Sequence, residues 1–367
     1  MLYQEVYEKL RDDIHAGKYP LGSKLPSVKQ LCDTYAVSAI TVRRALDILR
    51  EEGFITRQPR IGTTVTNLTP DYNNQAKSHL PTIAFIMTSF ADSFGTPLLE
   101  GALKQARGKA HLLLSTTFGD NEVEEEEISS AIDAGVNGLV LLPSDSDFIP
   151  KTILDLISKK FPVTIIDRVF QGVPVATVSS DNVDAARSAT KYLFSLGHKN
   201  VAFISSSSHT SSNSYRRRGW ALAHASNSIS LNDDFLLNTI SSTLPGAKPS
   251  EEESDIKLLS AFFKKHPDIT ACVAGEYNIA LLVREALRRI KKTVPDDVSV
   301  VCFDHANYSF DRELFRFTHV EQQQGVIGSK SIELSLNQIQ NGPLTTQILL
   351  STSIVEGQST IELRKKG

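Results

Sequence analysis

LPSVKQLCDTYAVSAITVRRALDILREEGF, residues 25–54, decides how the front of this chain folds. Ser27 followed three residues later by Gln30 has the form of a capping box, which starts a helix by satisfying its free N–H groups. Val28, Leu31 and Tyr35 then recur at helical spacing, so a helix is expected over roughly residues 27–35, burying those three side chains. Ala36, Val37 and Ser38 make a short turn, and Ser38 is a favoured N-cap for the helix that follows. On that helix Val42, Ala45, Leu46 and Leu49 share one face, the one that must pack inward. Ile40, Arg44 and Asp47 point the other way, with Thr41 and Arg43 on the flanks. Ile40 is apolar where a solvated face should be polar.

Upstream, Val6, Leu10 and Ile14 fall at helical spacing with Tyr3 and Tyr7 beside them, and Gly17 and Pro20 end that helix. Downstream, Gly53-Phe54-Ile55 leaves the third helix for a strand. Arg57 to Gly62 forms a basic loop, and Thr63-Thr64-Val65 reads as the returning strand. A three-helix interaction module with solvated arginines accounts for the helices alone. The two-stranded wing tipped by Arg57 and Arg60 favours a nucleic-acid partner, because such a wing suits phosphates or the minor groove. In a helix-turn-helix the front of the last helix enters the major groove. There Arg43 and Arg44 can bond guanine edges or phosphates, Thr41 can reach either, and Ile40 can touch a thymine methyl.

Residues 2–66 resemble the winged helix-turn-helix of the GntR family of bacterial transcription regulators, carried by LPSVKQLCDTYAVSAITVRRALDILREEGFITRQPRIGTTV. The resemblance implies DNA contacts at Lys29, Ser38, Thr41 and Arg43. With Ile40, Arg44, Arg57, Arg60 and Gly62 these make up the expected DNA-binding set. Ala39 stands where many members have an arginine, and Arg60 where the wing usually has a glycine. An operator sequence therefore does not transfer from the family.

Residues 67–79, NLTPDYNNQAKSH, are polar and read as a linker after a DNA-binding domain at 1–66. Hydrophobic residues make up 41 % of the 367, and the net charge of −3 opposes indiscriminate coating of nucleic acid or membrane. Cys32, Cys272 and Cys302 fit neither a disulfide framework nor zinc spacing and read as reduced thiols. The opening MLYQEVYEKLRDD lacks the apolar core of a signal peptide. No run approaches the ~18 apolar residues of a membrane span. A cytoplasmic protein with no membrane partner, metal or cofactor is expected.

From residue 80 to 367 short apolar runs alternate with amphipathic segments. The runs are 83–87, 111–115, 138–142, 163–166, 201–205, 271–274 and 298–303, and 181–196 and 277–290 read as helices. Alternation of this kind implies an α/β fold with parallel sheets covered by helices. About 290 residues is long for one sheet, so two subdomains with a ligand between them are expected. Ligands in such folds sit beyond the carboxyl ends of the strands. Those ends carry Asp167-Arg168, Ser180-Asp181, Ser205 to Ser208, Gly275-Glu276 and Asp304-His305. Arg216 and Trp220 follow at i, i+4 spacing on one helix face. Carboxylates, a guanidinium and an aromatic plate suit a polyol; singly each residue is better explained by a cap, a salt bridge or the core, but collectively, at successive strand ends, they favour a ligand site.

This second region resembles the effector-binding core of the LacI/GalR family, itself similar to periplasmic sugar-binding proteins. The stretches that carry it are DRVFQGVPVATVSSDNVDAARSATKYLFSLGHKNVAFI, YRRRGWALA, PDDVSVVCFD and FTHVEQ. The resemblance implies effector contacts at Phe94, Asp167, Asp181, Arg216, Trp220, Asp304 and Gln322, with Glu276 in place of a family aspartate. Gly275 replaces the asparagine before it, so the effector's identity does not carry over. The family's hinge helix is missing from this head, so coupling is expected to run through the linker and the dimer. GntR-type heads on LacI-type cores occur among arabinose-responsive repressors, and this chain has that layout.

An enzyme is the competing class. The sequence holds no G-x-G-x-x-G, P-loop, G-x-S-x-G or H-E-x-x-H motif, and no lysine in a recognisable Schiff-base setting. A cytosolic sugar-binding protein without a regulatory role is opposed by the head. The expectation is therefore a dimeric repressor that binds a pseudo-palindromic operator and responds to a small effector, expected to be a sugar or sugar derivative.

Overall fold

The computed structural model describes residues 2–58, 62–68, 80–91, 93–306 and 314–363. The chain divides into two compact units, 1–80 and 81–367. In the first, α1 (Leu2–His15), α2 (Val28–Tyr35) and α3 (Ala39–Glu51) are followed by the antiparallel strands β1 (Ile55–Gln58) and β2 (Gly62–Val65). Ser27 caps α2 in a complete capping box, its N–H reaching Gln30 Oε1 at 2.8 Å. The turn between α2 and α3 is made by Ala36, which caps α2 in the left-handed region at φ 53°. Val6, Leu10 and Ile14 of α1 meet Leu31, Val42, Leu46 and Leu49 in one apolar core closed by Phe54, Ile55 and Val65. Val28 and Tyr35 are only half-buried at its rim, a shallower seating than the helical spacing suggests. Residues 22–25 add a third rung to the wing: the Leu25 N–H donates to Thr63 O at 2.8 Å and the Val65 N–H to Ser23 O at 2.9 Å.

The second unit holds two six-stranded sheets. The first runs in the order β4 (His111–Thr116), β3 (Thr82–Met87), β5 (Gly138–Leu141), β6 (Val163–Ile166), β7 (Ala176–Ser180) and β13 (Gln347–Leu350), all parallel. The second runs β9 (Leu236–Ile240), β8 (Val201–Ser206), β10 (Ala271–Ala274), β11 (Ser299–Phe303), β12 (Thr318–Glu321) and β14 (Ser353–Val355), with only β14 antiparallel. Inner strands such as β5, β6, β10 and β11 are buried throughout, as parallel strands covered on both faces must be.

Among the described residues eight α-helices connect these strands: α4 (Thr96–Ala106), α5 (Asn121–Asp133), α6 (Lys151–Ser158), α7 (Asn182–Ser195), α8 (Ser211–Ser226), α9 (Pro249–Lys265), α10 (Tyr277–Arg289) and α11 (Gln324–Asn341). Helices α4 and α11 approach backbone to backbone. A Cβ on Gly328 would lie 1.9 Å from Leu98 O, so only glycine fits there. The chain crosses between the sheets three times: from β7 into α7, from β12 into α11, and from β13 into β14. Gln323 Nε2 donates to Ser351 O at 2.8 Å and so ties two of the crossings together. Among the described residues no helix is long and apolar enough to cross a membrane.

Candidate functional site

In the first unit, the front of α3 is shaped by Ser38. Its Oγ accepts the Thr41 N–H at 3.3 Å and lies 2.9 Å from Thr41 Oγ1, so the two hydroxyls stand together at the tip of the helix. Ile40 beside them is 78 % exposed, and Arg43 and Lys29 are exposed as well. Arg44 is exposed but turns toward α1, its guanidinium carbon 4.7 Å from the centre of the Tyr3 ring. The ring therefore competes with any other partner for that cation. Arg57 is exposed on β1, and Gly62 opens β2 at φ 107°, a backbone that L-residues rarely adopt. Arg60 lies outside the described residues.

In the second unit, the carboxyl ends of β3, β5, β6, β8, β10, β11 and β12 converge on a cavity of about 410 Å³. Asp167 after β6 and Asp304 after β11 both adopt φ 61°, an uncommon left-handed backbone that aspartate tolerates. Each donates its N–H to the next strand over, Asp167 to Val178 O and Asp304 to Val320 O. The two sheets thus end alike, one carboxylate apiece in the cavity wall.

Asp304 accepts from Gln322 Nε2 at 2.7 Å and from Gln324 Nε2 at 3.0 Å. Burial pushes its carboxyl up to about 7; Arg216 and the two glutamines oppose that shift, and Asp167 adds to it. Arg216, buried, donates Nε to Asn182 Oδ1 at 2.7 Å and Nη1 to Gly275 O at 2.6 Å. Its guanidinium lies 3.9 Å over Phe303. Burial lowers the pKa of this guanidinium, whereas Asp167, Asp304 and Glu276 hold it up. Glu276 accepts the Thr243 hydroxyl, and burial raises its pKa. Ser206, Ser208 and Thr210 form a hydroxyl chain joined by Asn213 Nδ2, which donates to Ser208 Oγ at 2.8 Å.

Three buried polar atoms of the lining have no hydrogen-bond partner: Asp167 Oδ1, Arg168 Nε and Gln322 Oε1. Leaving such atoms unpaired costs roughly 1–3 kcal/mol each, which a ligand able to pair them would recover. The cavity's rims are bonded across the two sheets' loops. The Val169 N–H donates to Ser211 Oγ at 2.8 Å, the Ser211 N–H to Ser146 Oγ at 2.9 Å, and Gln324 Nε2 to Ser93 O at 2.8 Å.

Of the expected effector residues, Phe94, Asp167, Arg216, Glu276, Asp304 and Gln322 are brought together in this lining. Two are not. Asp181 caps α7, accepting the Asp184 N–H at 2.9 Å, and lies at a crossing outside the cavity. Trp220 is 2 % exposed, donates Nε1 to Val201 O at 3.0 Å and packs on Phe203, so it belongs to the core beneath the sheet. His198, just past the end of α7, donates its backbone N–H to Leu193 O at 3.1 Å, while its ring joins Thr270 Oγ1 and Ile361 O.

Glu124 belongs to a run of four glutamates, residues 124–127. It is buried, accepts the Ser144 N–H, and so holds the loop that gives Arg168 its carbonyl partner, Ser144 O at 2.8 Å. Burial raises its pKa, against the pull of Ser144 and Arg168. Among the described residues no His, Cys, Asp and Glu cluster is arranged to hold a metal ion.

Residues 2–65 match the gntR family of bacterial regulatory proteins, and residues 190–360 match the periplasmic binding protein-like domain. The chain is 24 % identical over 342 residues to an arabinose metabolism transcriptional repressor of Geobacillus stearothermophilus, covering 92 % of this chain and 91 % of that one. It is 24 % identical to an HTH-type transcriptional repressor PurR of Aliivibrio fischeri, covering 86 % of this chain and 93 % of the relative. The transcription regulator CcpA of Lactococcus lactis superposes with a TM-score of 0.66 at 20 % identity, over 76 % of this chain and 99 % of that structure. The chain thus joins a gntR-type regulatory head to a periplasmic-binding-protein-like core.

Proposed function

We propose that this protein is a cytoplasmic transcriptional repressor that binds operator DNA as a homodimer and is switched by a small sugar-class effector in the cleft of its core. The observation that carries the reading is the cavity at the strand ends, with unpaired polar atoms in its wall and a winged helix-turn-helix on the same chain. The repressor names of the relatives support regulation over catalysis. The sugar class is supported by the arabinose repressors and by a structural neighbour solved with cellobiose.

Dimerisation is supported by the uncovered edge of the first sheet. Strand β4 and helix α4 leave Leu113, Leu114 and Leu103 exposed, and an apolar edge strand of this kind calls for a partner. An effector that closes the cleft more tightly in one state than the other shifts the dimer geometry by its difference in affinity, typically ~1–3 kcal/mol.

The DNA half of the reading is tested by Arg43→Ala. Operator affinity is expected to fall, and discrimination at one base position to relax by ~1–3 kcal/mol, measured by fluorescence anisotropy on a set of single-base operator variants. Affinity for the native operator should also drop steeply with salt, since phosphate contacts release counterions. An unchanged affinity takes Arg43 out of the interface, and a flat salt dependence takes the wing and helix off the phosphates. The effector half is tested by operator release: a compound that stabilises the core should dissociate the complex, and one that stabilises without changing DNA affinity would refute the switch.

A further inference from the structure

Among the described residues, four carboxylates and two guanidiniums line the cleft: Asp145, Asp167, Glu276 and Asp304 against Arg168 and Arg216. Both cations have carbonyl partners and nearby carboxylates within the protein, although Arg168 Nε has no partner. Arg168 gives Nη1 to the carbonyls of Pro143 and Ser144 and sits in the field of Asp167, Glu124, Asp145 and Glu276. Arg216 spends Nε and Nη1 on Asn182 and Gly275 and lies among Asp167, Asp304 and Glu276. The neighbouring Arg217 and Arg218 are exposed on α8 and do not line the cleft.

Glu276 has a particular place in this set. It occupies the N-cap of α10, where free N–H groups and the helix dipole attract an anion. Its Oε1 is held by Thr243; burial raises its pKa, against the pull of Thr243, Arg216 and Arg168. The side chain does not cap the helix, but its carboxylate lines the cleft beside the start of α10, where a ligand phosphate would meet it. The unpaired atoms point the same way. Two of the three, Asp167 Oδ1 and Gln322 Oε1, are acceptors, and Arg168 Nε is a donor. A hydroxyl can satisfy either kind, whereas an ionised phosphate or carboxylate offers no proton to an acceptor.

We propose that the cleft selects a neutral, hydroxyl-rich effector and rejects phosphorylated and carboxylated sugars, with Glu276 as the resident anion that sets this choice. The proposal rests on the reading of the cleft as the effector site and narrows it to one charge class. The test is thermal unfolding of the full chain with arabinose, xylose, ribose, glucose, galactose and cellobiose. Their charged counterparts are ribose 5-phosphate, glucose 6-phosphate, glucuronate and galacturonate, with inorganic phosphate as the bare anion.

A neutral sugar should raise the melting temperature, its charged counterpart should bind at least about tenfold more weakly, and inorganic phosphate should have no effect. Glu276→Gln should narrow that ratio by about tenfold. A charged sugar that stabilises the wild-type chain as strongly as its neutral parent overturns the charge assignment and leaves the effector site standing. An unchanged ratio in Glu276→Gln overturns the role given to that residue. No shift with any compound removes the effector reading and the charge assignment together.

Discussion

Arg216→Ala is expected to destabilise residues 81–367 by about 3–5 kcal/mol and to abolish the effector response in the same step. The guanidinium is buried, and three carboxylates, Asp167, Asp304 and Glu276, lie within its electrostatic reach. Its removal leaves those charges in a dry wall with no counter-cation. Asn182 Oδ1 and Gly275 O lose their donor, and Phe303 loses the cation resting on its ring. Breaking a buried pair from one side is costly for this reason, even where the intact pair contributes little net stability. Trp220 is the single tryptophan and is buried in the same subdomain, so urea unfolding followed by its fluorescence reports this region directly. The gntR-type head is a separate compact unit with its own core and should keep its fold in the variant. A loss below 1 kcal/mol together with a normal effector response would show that Arg216 does not anchor the cleft.

The pattern of what the sequence reveals follows from the range over which each signal acts. The head was legible almost throughout because its determinants are local. Ser27 with Gln30 and Ser38 with Thr41 act across three residues, and the inward face of α3 repeats within two turns. Most inner strands were legible because burial on both faces demands unbroken apolar runs, as in Gly138–Leu141 and Ala271–Ala274, whereas the more polar Ala176–Ser180 and Thr318–Glu321 were not. Of the edge strands of the two six-stranded sheets only β4 was read as an apolar run; the others escaped. Gln347–Leu350 and Ser353–Val355 are short, alternate in exposure, and are defined by partners far away in the chain.

Six of the eight expected residues line the cleft, among them Arg216 on α8; Asp181 at the end of β7 and Trp220 on α8 do not. Helical spacing put Trp220 on the same face as Arg216, but four residues along a helix is about 6 Å along its axis. That step carries Trp220 away from the rim and down to Val201 at the start of β8. Glu124 was illegible for the opposite reason. Among its neighbours in the glutamate run Glu126 is exposed, and the Ser144 N–H that Glu124 accepts lies on a loop twenty residues along the chain.

Asp304 carries a second large effect, visible only against pH. Burial, and to a lesser degree Asp167, moves its carboxyl from 3.8 to about 7, with Arg216, Gln322 and Gln324 resisting. Between those values the folded protein holds a proton that the unfolded chain has already released. Unfolding therefore sheds protons, and stability falls as pH rises through this window. The loss is complete above pH 7 and absent below the unfolded value. From pH 5 to pH 8 it amounts to roughly 2–3 kcal/mol.

Asp304→Asn removes the titration, so the variant is expected to lose that slope and to exceed the wild type in stability at pH 8. The same substitution should cost the effector response, since the ionised carboxylate is the stronger acceptor for a ligand hydroxyl. For the wild type, effector affinity should climb with pH by up to about tenfold per unit below 7 and level off above it. Urea midpoints of the two proteins between pH 5 and 8, with and without the stabilising sugar, separate these effects. Parallel stability curves would mean that Asp304 is ionised throughout. Divergent curves with equal effector affinity would make it a structural carboxylate that no ligand touches.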